Sequence, residues 1–96
     1  DMIDTAGTIA QASEALFENG ASDVLVAATH AVLSGPAVDR LKNSRISEVI
    51  VTNTLPLPEE QLFPQLTVLS IAPMIARAIR EVFDDGSVTS LFDGNA

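Results

Sequence analysis

The sequence has no cysteine, no tryptophan and no tyrosine, and only five of its 96 residues are basic. Without cysteine, disulfide scaffolds and thiolate metal sites are excluded, and a reducing compartment, the cytoplasm, is the expected setting. Five cations against thirteen carboxylates leave a formal charge of -8. That balance argues against a nucleic-acid surface, whose affinity comes largely from cationic contacts to phosphates. Four phenylalanines are the whole aromatic set, so a base-stacking platform is not expected either. Apolar runs such as Val24 to Ala28 are strand-length and far short of a membrane span. No basic-then-apolar signal pattern is visible in the first residues, and there is no internal repeat. What remains, with 47% hydrophobic and 19% charged residues, is a globular chain of at most one small domain with a modest core.

Helix and strand signals alternate. Ile9, Ala12, Leu16 and Phe17 recur at helical spacing after Thr8, and Asn19-Gly20 supplies a left-handed stop. Asp23 to Thr29 is nearly all apolar, the pattern of a parallel strand covered on both faces. Ser34-Gly35-Pro36 opens a short helix with Pro36 at its first position, and Ala37, Val38 and Leu41 form its buried side. Glu48 to Thr52 and Leu66 to Ile71 read as further strands, separated by a proline-rich loop from Asn53 to Pro64. A last helix starts at Pro73, and Met74, Ile75, Ala78, Ile79, Val82 and Phe83 form a stripe expected to pack on the sheet. The whole predicts an α/β fold: an open, mostly parallel sheet with flanking helices.

The densest chemistry lies at the start, in Asp1-Met2-Ile3-Asp4-Thr5-Ala6-Gly7-Thr8. Successive amides from Asp4 to Thr8 at a helix start can converge on a phosphate, helped by the helix dipole. Gly7 lets backbone approach closely, Thr5 and Thr8 add hydroxyls, and the Asp1 carboxylate can accept from a sugar diol. The competing reading is that Asp4 or Thr5 merely caps a helix and Gly7 is incidental. Beginning at Asp1, the sequence also lacks the strand expected before such a loop, as a part of a larger protein would.

This loop resembles the ribose-phosphate loop of the phosphoribosyltransferase-like fold. Together with Ala28-Thr-His-Ala-Val-Leu-Ser-Gly-Pro-Ala37, Val51-Thr-Asn-Thr-Leu-Pro56 and Gly86-Ser-Val-Thr-Ser-Leu-Phe92, it resembles the C-terminal part of class I ribose-phosphate pyrophosphokinases. Phe63 to Pro73 looks closest to actinobacterial members. The resemblance implies transfer of diphosphate from ATP to ribose 5-phosphate, with Mg2+, giving phosphoribosyl pyrophosphate and AMP. It implies that Asp4, Thr5, Ala6, Gly7 and Thr8 hold the 5-phosphate and that Asp1 is the second of an Asp pair at the ribose hydroxyls. It implies a regulatory ADP/phosphate site at Ser87, Thr89 and Phe92, between subunits of a hexamer. No catalytic or metal residue is assigned to this segment: the basic loop and most magnesium ligands would lie outside it. Residues 1–96 alone are therefore expected to be inactive.

Other residues carry less. His30 suits general-base chemistry by its titration range, but a lone histidine after a strand is more often structural. Thr29 and Ser34 either touch substrate or cap the Pro36 helix, and the cap is the favoured reading. Without the resemblance, the Ser87-to-Phe92 tail reads as an edge strand or a frayed end. Asp84-Asp85 and Glu59-Glu60 read as solvated. Two alternatives stay open: a phosphoribosyltransferase, and a non-catalytic regulatory homologue of the synthetase.

Overall fold

Four short apolar runs pair into a single parallel sheet in a computed structural model that describes residues 1–91. Its strands are β1 (Met2–Ile3), β2 (Leu25–Ala31), β3 (Glu48–Thr52) and β4 (Leu66–Leu69). Between and after them lie helices α1 (Gly7–Glu18), α2 (Ala37–Lys42) and α3 (Ala72–Phe83), with 3-10 turns at Glu59–Gln61 and Val88–Leu91. Order in space equals order in sequence, β1-β2-β3-β4, with Met2 beside His30, Val26 beside Val49, and Val49 beside Leu66. The expected open α/β sheet is present. The second strand runs two residues later than the sequence pattern placed it.

Because the strand order never reverses, right-handed crossovers lay every connection on the same side of the sheet. There α1 meets α2, and the proline-rich loop folds in behind Phe63. Ile3, Leu33, Leu41, Ile46, Val49 and Val51 are fully buried between these layers. Gln61 and Gln65 donate side-chain hydrogen bonds to the carbonyls of Leu33, Leu41 and Lys42, tying the loop to the α2 segment.

Among the described residues nothing covers the opposite face. Leu25 and Leu69 are 61% and 53% exposed, and Ala27, Thr29, Ile50 and Thr52 line a shallow open depression between them. The expectation that β2 is covered on both faces is therefore wrong for the described residues. An apolar run marks a strand that avoids water; it does not say which segment provides the cover.

The last helix corrects a second expectation. Its stripe exists, but Ile79, Val82 and Phe83 are 64%, 67% and 86% exposed, and α3 packs on the Val88–Leu91 turn rather than on the sheet. Following edge strand β4, α3 meets no further described strand. Asn53 Oδ1 accepts from the Ile71 N–H at 3.0 Å and fixes where the helix departs. The result measures 50 × 31 × 19 Å, with a radius of gyration of 16.3 Å, against about 12.5 Å for a compact domain of this length.

Local details follow the chemistry. α1 ends in a paired turn, Gly20 N–H to Phe17 C=O and Ala21 N–H to Leu16 C=O, with Gly20 at φ 99°; this is the Schellman arrangement that glycine permits. The buried position of α1 is Ser13, not Ala12 or Leu16. Its hydroxyl donates to the Ala10 carbonyl at 2.8 Å, so the polar group is satisfied and can be buried. Pro36 stands one residue before α2, whose start has no side-chain cap, so Ser34 does not cap it. Arg45 stacks on Phe17 with 4.2 Å to the ring centroid and pairs with Glu14 at 2.9 Å. An exposed pair contributes little, and the stacking adds to it. Arg45→Ala is expected to cost about 1 kcal/mol, read as a lower denaturant midpoint with unchanged slope in the full-length protein.

Candidate phosphate-binding site

β1 carries the chain to Ile3, and the loop that follows turns at once into α1. The turn is made by Ala6, in the left-handed region at φ 66°, ψ 9°. Its carbonyl accepts the first helical hydrogen bond, from Ala10 N–H at 3.0 Å. No side chain caps the helix, so the simple capping role of Asp4 or Thr5 is not what the loop does. Among the described residues the amides of Gly7, Thr8 and Ile9 have no protein acceptor. Every helix leaves its first N–H groups open. Here they open onto a concavity of about 190 Å³ lined by Met2, Asp4, Thr5, Ala6, Gly7, Thr8 and Ile9.

The loop is held from behind. The Asp4 carbonyl accepts from Ser34 N–H, and the Ile3 carbonyl accepts from Val32 and Leu33 N–H, all at 3.0 Å. Arg40 Nη1 donates to the Thr5 carbonyl at 3.0 Å. With its carbonyls directed into the protein, the loop leaves amides as its free groups. Donors without acceptors at a helix start suit an anion with several oxygens.

The structure thus brings Asp4, Thr5, Ala6, Gly7 and Thr8 together as one concave surface. Asp1 does not line it: its carbonyl accepts from His30 N–H at 2.9 Å and its side chain is exposed. Gly7 also serves the protein side of the loop. Its φ is not positive, and a Cβ built on it would lie 3.1 Å from Arg40 Nη1, so its missing side chain makes room for a guanidinium. Sequence reasoning missed Arg40, Met2 and Ile9. Met2 and Ile9 simply flank the motif, and only the crossover geometry brings Arg40 to it.

Two strand ends beside the loop are occupied with each other. His30 Nδ1 lies 2.7 Å from Thr54 Oγ1, and Thr52 Oγ1 donates to the Thr29 carbonyl at 2.6 Å. These bonds support the structural role for His30. In the tail, Ser87 Oγ and Thr89 Oγ1 lie 2.6 Å apart where a 3-10 turn stands in place of the edge strand or frayed end, with Leu91 buried. Phe92, the third residue of the expected regulatory site, lies outside the described residues. A larger depression, about 600 Å³, lies along α3 beside Ile79 and Phe83. Arg77, Arg80 and Asp84 also line it, but Arg80 pairs with Asp84 along the helix and the lining comes from α3 and its C-terminal end, so it reads as uncovered surface rather than as a ligand site.

Comparison with known proteins shows the family. Residues 1–93 match the family described as the phosphoribosyl synthetase-associated domain. The chain is 69% identical over 93 residues to a ribose-phosphate pyrophosphokinase of Streptomyces coelicolor, covering 97% of this chain and 29% of the relative. It is 64% identical over 96 residues to one of Mycobacterium tuberculosis, again covering 29% of the relative. The crystal structure of phosphoribosylpyrophosphate synthetase from Mycobacterium smegmatis superposes with a TM-score of 0.87 at 63% identity, over 90% of this chain and 29% of that one. These relatives are actinobacterial, as the Phe63-to-Pro73 segment suggested, and the chain spans less than a third of their length. On the strength of the match over residues 1–93, the chain belongs to the phosphoribosyl synthetase-associated domain family.

Proposed function

We propose that residues 1–96 form the ribose 5-phosphate-binding, C-terminal part of a ribose-phosphate diphosphokinase. The observation that carries this reading is the set of open amides on Gly7, Thr8 and Ile9, facing a concavity whose carbonyls are tied away. A phosphate is the anion that such a loop fits best. Asp4 lines the same concavity, and its carboxylate can only accept, so it serves sugar hydroxyls while the amides serve the phosphate. Asp1, just upstream, would extend that acceptor set along the sugar. The relatives' name, a pyrophosphokinase, favours this over a phosphoribosyltransferase.

In the full reaction ATP would donate diphosphate to the 1-hydroxyl of the bound sugar. The task of these residues is to hold the acceptor by its far end, and positioning of this kind is a large part of phosphoryl-transfer catalysis. Mg2+ would neutralise charge on the transferred group. Among the described residues no three acidic or histidine side chains converge, and this reading assigns the magnesium ligands mainly to other parts of the protein. The same reading makes the isolated segment inactive. It also includes the hexamer and an ADP/phosphate regulatory site, to which Ser87 and Thr89 would bring paired hydroxyls.

Titration of ribose 5-phosphate into the full-length protein tests the assignment. Asp4→Ala is expected to weaken binding about tenfold or more, the effect of losing hydrogen bonds to a charged acceptor. Unchanged affinity would remove ribose 5-phosphate from this loop.

A further inference from the structure

We infer that Arg40 is the positioning residue of the phosphate loop and the cation that selects a dianionic ligand there. This rests on the reading of the loop as a ribose 5-phosphate site. Arg40 sits on α2, far from the loop in sequence, yet its Nη1 donates to the Thr5 carbonyl at 3.0 Å. The guanidinium lies against Gly7, whose absent Cβ would come within 3.1 Å of Nη1 and 3.7 Å of Cζ.

Two consequences follow from elementary geometry and charge. A trans peptide points its C=O and N–H in opposite directions. By holding the Thr5 carbonyl, Arg40 also fixes the direction of the Ala6 N–H, the amide just before the open ones of Gly7, Thr8 and Ile9. Arginine has five donor hydrogens, and one bond to a carbonyl leaves its charge intact. In a chain of net charge -8 Arg45 and Arg80 sit beside carboxylates; among the described residues Arg40, like Lys42 and Arg77, makes no ion pair, and it is the one held against the loop. It offers its charge to the loop from behind, where lysine would lack the planar fork.

A point charge attracts a dianion about twice as strongly as a monoanion at the same place. Arg40 should therefore favour a phosphate ester over an isosteric sulfate ester, beyond its effect on loop shape. The test uses the full-length protein, with ribose 5-phosphate and ribose 5-sulfate titrated into wild type, Arg40→Gln and Arg40→Lys. Arg40→Gln is expected to weaken ribose 5-phosphate about tenfold and ribose 5-sulfate only about threefold, an estimate from the charge-assisted hydrogen bond discounted for exposure. Arg40→Lys should restore the phosphate-over-sulfate preference without restoring full affinity. Equal weakening of both ligands would reduce Arg40 to a purely structural part and overturn its role in selection. Unchanged affinity in Arg40→Gln would overturn both roles while leaving the loop's assignment standing. Failure of wild type to bind ribose 5-phosphate would overturn the loop's assignment itself, and this inference with it.

Discussion

Ala6→Val is expected to abolish most ribose 5-phosphate binding, about a hundredfold in affinity, while the rest of the sheet stays folded. Ala6 holds φ 66° and is buried. A left-handed conformation already costs an L-residue roughly 1–2 kcal/mol, and a β-branched side chain makes it a genuine outlier. Two added methyl groups at a packed position cost about 1–3 kcal/mol more. The cheapest escape is for the Thr5–Ala6 peptide to rotate, which turns the loop's amides away from their common centre and lowers affinity. Ala6→Gly is the control. It accepts the same dihedral without a side chain and should keep wild-type affinity. Calorimetric titration of the full-length variants checks both, and tight binding by Ala6→Val would show that the left-handed turn is not what aligns the amides.

The second large effect concerns the uncovered surface. Expressed alone, residues 1–96 are expected to bind a hydrophobic dye strongly and to self-associate at micromolar concentration. The double substitution Ile79→Glu and Phe83→Glu should suppress both. Each large side chain removed from water contributes about 1.5–3 kcal/mol, so two of them on one stripe are enough to drive association. In the full-length protein the sign should reverse: if the stripe is covered there, two buried carboxylates without partners destabilise strongly. Thermal denaturation of that variant should then fall by well over about 5 °C. A monodisperse, dye-silent wild-type segment on analytical centrifugation would show that this surface is already satisfied.

How much of this was legible beforehand depended on the kind of information each residue carries. Glu48 to Thr52 is legible to the residue because four consecutive β-branched side chains suit a strand between two others. Gly20 ended α1 as expected because a left-handed C-terminal turn is a local property of the backbone. Ser13 was missed, since a hydroxyl that bonds to its own helix is invisible to hydrophobic periodicity. The stripe of α3 was identified correctly and its partner was not, because periodicity reports which residues share a face and nothing about what that face meets. The site divided in the same way. Asp4 to Thr8 are consecutive, so their convergence could be read from one short string. Arg40 acts on Thr5 across a crossover, and no spacing rule links the two. Gly7 suggests close approach of backbone to a ligand, and in the fold the same missing side chain also leaves room for Arg40.

The spatial order of the strands also bears on how the molecule is made. Among the described residues each strand pairs with its neighbours in the chain, so within this segment every new strand finds its partner already present during synthesis. The largest block of buried side chains, from Ala31 through Val51, runs from the end of β2 through α2 to β3, a unit that can collapse before β4 has emerged. Parallel pairing still demands closure of a long connection before any sheet bond forms, which slows it relative to helical folds. Growth strand by strand keeps each closure to a single crossover. It also leaves the trailing edge of the sheet, with its unpaired backbone, open for only as long as it takes to append the next strand.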